Sequence, residues 1–238
     1  MKTLGSLYLI PAALGDVAWT YFLPAEVQAI AGRLNYFIVE NARAARAHLK
    51  RIGYPSPLAE TDIRELPVKS PVHILDALLQ PAFSGHDVGL MSDAGCPGVA
   101  DPGAALIARA HALGIRVVPL TGPSSILLGL MGSGLNGQSF AFHGYLPIPD
   151  RERIRQIKML EEESRRCNRT QIFIETPYRN EKMYKTLLQH CTRNTLLCLA
   201  CELTTKNEFL KTKSVDEWKK APHPALSKRP CLFLMLAR

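Results

Sequence analysis

Three turns concentrate the residues from which chemistry could be built: Pro11-Ala12-Ala13-Leu14-Gly15-Asp16, the long Ser92–Gly103 stretch (SDAGCPGVADPG), and Thr121-Gly122-Pro123-Ser124-Ser125. Each follows a segment that reads as a strand. Small residues at strand C-termini let a ligand approach the backbone, and open α/β sheets take ligands there. On the residues alone this is a pocket for a small, partly apolar ligand, and it does not name the ligand. Glu40, Asp93 and Glu175 are the carboxylates best placed near strand ends, where a carboxylate can act as a base or steady developing charge. Arg43 and Arg179 are the matching cationic anchors. The plainer reading of Glu40 and Glu175 is that they cap strand ends or order a dimer.

Other motifs carry less. Gly132-Ser133-Gly134-Leu135-Asn136-Gly137 has the spacing of a dinucleotide fingerprint, but a helical run precedes it and an extended run follows. That is the reverse of what a pyrophosphate at a helix N-terminus requires, so a glycine-rich helix exit is the better reading. Cys198 and Cys201 form a C-x-x-C within an apolar strand, where positions three apart point to opposite faces. No second pair completes a four-ligand set, so no metal site is expected. The seven histidines form no spaced pair. The run Arg151-Glu152-Arg153-Ile154-Arg155-Gln156-Ile157-Lys158 is the densest basic segment. It reads as a solvated helix face, with Glu161, Glu162 and Glu163 supplying counter-charge, or as a contact to an RNA backbone.

The elements that position these groups alternate through the first half. Strands are predicted over Ser6–Ile10, Tyr36–Glu40, Val88–Met91 and Ile115–Leu120, with helices over Ala25–Arg33, Ala42–Ile52, Val72–Leu79 and Ala104–Leu113. Alternation of this kind implies crossover connections and a mainly parallel sheet. Thr121-Gly122-Pro123 breaks the chain, dividing it into an N-terminal α/β domain over 1–120 and a C-terminal one over 121–238. The second half offers helices at Ser124–Met131 and Arg151–Arg166 and strands at Gln171–Glu175, Leu196–Cys201, Glu208–Lys213 and Pro230–Leu236. Leu196–Cys201 and Glu208–Lys213 form a hairpin in this reading, so the second sheet is mixed.

Bulk properties fit such a protein. The 238 residues are 47% hydrophobic and 21% charged, enough for a core in each domain and unlike a disordered or fibrous chain. Lys and Arg total 29 against 21 acidic residues, a formal charge of +8, which favours polyanionic partners such as nucleic acid or anionic membrane. The six cysteines are scattered, several within apolar runs, the pattern of reduced thiols in a cytoplasmic protein. The early apolar run is broken by Pro11 and closed by Gly15-Asp16, too interrupted for a secretory leader. No stretch approaches the ~20 apolar residues of a membrane span.

Taken in order, SDAGCPGVADPG, VVPLTGPSS and FAFHGYLP, continued by IFIETPYRN and the terminal PCLFLMLAR, resemble the tetrapyrrole methylase superfamily. The resemblance covers nearly the whole chain. It is strongest to the branch of ribosomal RNA small subunit methyltransferase I enzymes, which methylate a ribose 2′-hydroxyl. It implies a two-domain tetrapyrrole-methylase-like α/β fold, S-adenosylmethionine in the interdomain cleft, and a homodimer acting on RNA or the small ribosomal subunit. Position by position it implies cofactor contacts from Leu14, Gly95, Cys96, Val99, Ala100, Ser125, Ile126, Thr176, Ala200 and Pro230. Cys96 stands where relatives often carry Asp or Thr, so its contribution is expected from backbone geometry rather than thiol chemistry.

The departures bear on substrate more than on cofactor. A P-T-P-I-G-N-L-like first turn is replaced by Pro11–Val17, and an E-D-T-R segment by Glu40-Asn41-Ala42-Arg43, while an H-N-E-like segment has no clear counterpart around Pro67–His73. The chain therefore reads as a divergent sister group. RNA methylation is the leading expectation. A methylase of a tetrapyrrole or other small acidic metabolite is the alternative, and a non-catalytic binding protein that keeps the fold is a third.

Overall fold

A computed structural model describes residues 3–238, which divide into two compact units, 3–124 and 125–238. In the first unit the strands are β1 (Ser6–Ile10), β2 (Tyr36–Val39), β3 (Asp62–Glu65), β4 (Val88–Met91) and β5 (Arg116–Pro119). They form one sheet in the order β3-β2-β4-β1-β5, every pair parallel. Strand residues alternate between two cores, as a period of two requires. Leu7 and Ile38 join one core, and Ile10, Phe37 and Val39 the other. Helices α1 (Ala25–Gly32) and α2 (Ala42–Arg51) cover one face, and α3 (Val72–Phe83) and α4 (Ala104–Ala112) the other.

This order has a switch point. From β1 the chain runs to β2 on one side, whereas from β4 it crosses to β5 on the other. The carboxyl ends of β4, β1 and β5 are therefore neighbours, which is where open α/β sheets hold ligands. The elements expected here are present, with two differences. Strand β3 was not anticipated: three of its four residues are charged, and it lies at the sheet edge, where charge discourages further pairing and an Asp62–Arg64 ion pair forms at 2.6 Å. Helix α3 extends past Leu79 to Phe83 and contains Pro81.

In the second unit, α5 (Ser125–Ser133) is followed by β6 (Phe140–Tyr145), α6 (Asp150–Cys167), β7 (Thr170–Ile174), α7 (Asn180–His190), β8 (Leu196–Cys201), β9 (Phe209–Ser214), α8 (Val215–Lys220) and β10 (Cys231–Leu236). The sheet order is β6-β7-β10-β8-β9, with β6 and β7 parallel and the other pairs antiparallel. The mixed sheet and the β8–β9 hairpin follow the sequence reading. Helices α7 and α8 went unanticipated. Yet α7 buries Met183, Tyr184 and Leu187 at helical spacing, and α8 opens with a capping box from Ser214 and Glu217. One sheet face, with Leu199, Cys201, Phe233 and Met235, packs on α6, α7 and α8. The opposite face, with Ala200, Leu232 and Leu234, carries α5, whose Gly129 has no room for a side chain: a Cβ there would meet Leu232 at 2.5 Å.

Candidate active site

In the first unit the three turns read from the sequence are brought together at the carboxyl ends of neighbouring strands. The turn after β1 and the turn after β4 are tied by two backbone hydrogen bonds. Ala12 N–H donates to Gly95 O at 2.8 Å, and Gly95 N–H to Ala12 O at 3.1 Å. The turn after β5 joins them through Cys96, whose Sγ donates to Pro123 O at 3.3 Å. Gly122 lies so close to Pro11 that a Cβ at 122 would overlap the proline ring. Glycine there is a condition of the approach of the first and third turns.

The turn after β4 has an unusual backbone. Gly95 has φ +70° and Ala100 φ +65°, left-handed values that suit glycine and that the Cβ of alanine resists. A Cβ on Gly95 would also stand 3.5 Å from Leu14. Leu14 is half-buried, and Val99 leaves 49% of its surface exposed. The result is a bare backbone ledge beside two aliphatic side chains, as a small ligand of mixed polarity requires.

The carboxylates gather at the neighbouring strand ends. Glu40 directly follows β2, and its N–H donates to Met91 O at 3.1 Å. Its Oε2 accepts from Asp93 N–H at 3.1 Å, fastening the β4 turn to β2. Asp93 is exposed, and its carboxyl is held above the ordinary range first by burial, then by the charges of Glu40 and Glu65. Asp101 was absent from the sequence-derived candidates. Burial raises its pKa to about 6; a hydrogen bond from Ser92 opposes the shift, and Glu40 and Asp93 add to it. It is a carboxyl poised near neutrality on the same ledge. Its signal was the DPG that closes the long turn, and sequence alone does not show that this chain segment folds back on Glu40 and Asp93. Arg43 is exposed in the first turn of α2, where its backbone N–H donates to the capping Asn41 Oδ1 at 2.9 Å. The thiol of Cys96 is raised by burial and by Asp101, so it stays protonated near neutral pH.

Within the second unit, the register brings another set to one sheet edge. Leu232 faces Ile174 across β7–β10 and Ala200 across β10–β8. Thr176 lies just beyond the end of β7 and Pro230 just before β10, where Pro230 O accepts from Glu202 N–H at 3.0 Å. Ser125 and Ile126 open α5, which covers Ala200 and Leu232 one turn later. Glu175 is buried, and its Oε1 accepts from Thr176 N–H at 2.7 Å and from Arg179 Nε and Nη2 at 2.9 and 2.7 Å. Three donors meeting one oxygen of Glu175 tie the β7–α7 turn, with Arg179 as its ion-pair partner. Among the described residues, no group of three His, Cys, Asp or Glu side chains is placed to hold a metal ion. Cys201 has its sulfur partner across the sheet: its Sγ lies 2.8 Å from that of Cys231, its register neighbour on β10, while Cys198 belongs to the opposite face.

Comparison with known proteins agrees with this architecture. A methyltransferase, CobJ, has a crystal structure that superposes with a TM-score of 0.65 at 17% identity, covering 98% of this chain and 94% of that one. Among curated proteins, the chain is similar to ribosomal RNA small subunit methyltransferase I of Vibrio cholerae (35% identity over 140 residues, 59% of this chain and 47% of that protein). It is also similar to the proteins of that name from Buchnera aphidicola (28% over 220 residues, 91% and 74%) and Streptococcus pyogenes (29% over 234 residues, 98% and 77%). The matched lengths thus run from about half to about three quarters of these relatives. No family model matches the chain. The two-unit α/β fold is thus shared with the methyltransferase CobJ, and the sequence is similar over most of its length to ribosomal RNA small subunit methyltransferase I proteins.

Proposed function

We propose that this protein is an S-adenosylmethionine-dependent methyltransferase whose acceptor is RNA, with a ribose 2′-hydroxyl of small-subunit ribosomal RNA as the expected site. The observation that carries the reading is the match to ribosomal RNA methyltransferases along 98% of the chain. Support comes from the Gly95–Ala100 ledge, whose bare backbone and adjoining Leu14 and Val99 suit a ligand that is part nucleoside and part aliphatic. Leu14, Gly95, Cys96, Val99 and Ala100 would hold the cofactor in the first unit, and Ser125, Ile126, Thr176, Ala200 and Pro230 are the positions proposed in the second. When bound, the cofactor supplies an electrophilic methyl group on a sulfonium.

The work left to this chain is alignment, exclusion of water and handling of one proton. The Ala12–Gly95 bridge and the Cys96–Pro123 contact hold the ledge rigid. Asp101, with Glu40 and Asp93 beside it, is the group whose pKa suits it to accept the proton of a hydroxyl near neutrality. Arg43, exposed and carrying no ion pair among the described residues, is free to meet an anionic acceptor. A cytoplasmic location belongs to the same proposal, supported by six free thiols, and a homodimer is proposed with it on the resemblance alone. No described helix is long and apolar enough to cross a membrane.

The test is incubation of the purified protein with tritiated S-adenosylmethionine and three acceptors from a strain lacking the gene: total RNA, small ribosomal subunits and a small-molecule extract. Label in small-subunit RNA, mapped by nuclease digestion to one ribose, is the expected result. Label confined to the small-molecule fraction would replace RNA with an acidic metabolite. Cofactor binding with no turnover on any fraction would make the chain a binding protein.

A further inference from the structure

Helix α6 presents a feature that the methyl-transfer site does not use. Its inner face buries Arg153, Ile157, Leu160, Glu161 and Ser164. Its outer face lines an open groove of about 800 Å³ with Arg151, Arg155, Lys158 and Arg166 along one side and His143 of β6 in its wall. The acidic residues that could neutralise this stripe are otherwise engaged. Glu161 faces inward, where its Oε1 accepts from Thr192 N–H at 2.7 Å and Thr192 Oγ1 at 3.0 Å. Glu162 and Glu163 also line the groove, but Glu162 is paired with Arg165 and Glu163 with Arg169, both at 2.7 Å. Glu152 is exposed but lies outside the groove. Among the described residues, Arg151, Arg155, Lys158 and Arg166 make no ion pair.

Four unpaired cations at spacings of four, three and eight residues repel one another along a helix face. The arrangement lowers its energy by meeting a polyanion. From Arg151 to Arg166 the helix rises about 22 Å, the span of about six phosphates of a stacked single strand. Ile154 and Met159 add apolar surface to the groove, on which sugars can lie. We propose that the α6 groove is a phosphate track that holds an RNA strand outside the methyl-transfer site. This rests on the RNA reading above and assigns the basic run, open between two readings in the sequence, to the backbone contact.

The test is fluorescence anisotropy of a labelled 20-nucleotide single-stranded RNA against the full-length protein over a range of salt. The triple variant R151Q/R155Q/K158Q is expected to bind about tenfold or more weakly, with a salt slope shallower by about 2. R151K/R155K keeps the point charges and is expected to bind like wild type, which excludes misfolding as the cause. K206Q/K211Q/K219Q removes the same net charge from exposed positions elsewhere and is expected to leave affinity almost unchanged. Equal weakening by this control, or none by the groove variant, overturns the proposal. So does displacement of the RNA by polyglutamate as readily as by unlabelled RNA. The two readings fail separately: a wild-type protein that binds RNA through the groove and methylates only small molecules would sink the RNA-acceptor reading alone. Methylation of RNA with an unchanged KM in the groove variant would sink the track alone.

Discussion

Replacing Asp101 with asparagine should make the first unit more stable at neutral pH, although it removes a charged group from the candidate site. A carboxyl whose pKa rises from 3.8 to about 6 on folding carries, once ionised, a penalty of up to about 3 kcal/mol. The group is only half shielded from water, and screening reduces the figure to about 1–2 kcal/mol. The sign follows from the folded pKa lying above the unfolded one. Below pH 3.8 both states are protonated and the penalty is absent. It grows as pH rises through the interval and is complete above about 6. Asparagine keeps an acceptor for Ser92 and bears no charge to repel Glu40 or Asp93.

Urea unfolding reports this directly, because the two tryptophans fall in different units. Trp19 packs against the first unit's core and Trp218 is buried in the second. In a W218F background, Trp19 fluorescence should show D101N stabilised by about 1–2 kcal/mol at pH 7.5. The gain should shrink about threefold by pH 4.5. A variant no more stable than its parent at pH 7.5, or a difference that does not vary with pH, would refute the argument from crowded carboxylates.

Four further outcomes follow from the same geometry. If Asp101 takes the acceptor proton, methyl transfer rises with pH through about 6, and D101N removes that limb while cofactor affinity persists; a limb unchanged in D101N would discharge Asp101 from the role. G122A forces the first and third turns apart and should weaken S-adenosylmethionine binding by about tenfold or more, measured by calorimetry, since misplacements near 1 Å are costly at such sites. C96S keeps a donor for Pro123 O and should bind the cofactor within about twofold of wild type; a large loss would instead give the sulfur a direct role. E161A strands the Thr192 and Thr195 donors that Glu161 satisfies and should destabilise the second unit by about 2–4 kcal/mol, read from Trp218 in urea.

Much of the candidate site's backbone was legible because its information is local. Glycine and proline after a short apolar run mark a turn at a strand end wherever the run pairs, and all three turns came from that pattern. What joins the turns was not legible, because Ala12 meets Gly95 and Cys96 meets Pro123 across long stretches of chain. Strand β3 escaped for the opposite reason: its charged residues carry no apolar period, and its place beside β2 is set by pairing alone.

Charge shows most clearly where sequence stops. Counted along the chain, the carboxylates at 161–163 balance the basic run at 151–158, and a solvated face is the natural reading. Folded, one of those carboxylates turns inward to fasten the start of β8, and the other two are taken by Arg165 and Arg169. Neutrality in the sequence therefore becomes an unpaired stripe on the surface. The same logic, with opposite sign, governs the candidate site. Glu40 is remote in the chain from Asp93 and Asp101, yet at the ends of β2 and β4 burial and, after it, the charge of Glu40 raise the pKa of both. Both features arise from how the fold buries, pairs or leaves unpaired charges that the sequence only strings together, and the proposed chemistry needs both: a proton acceptor near neutrality on the ledge, and cations free to hold the strand that carries the hydroxyl.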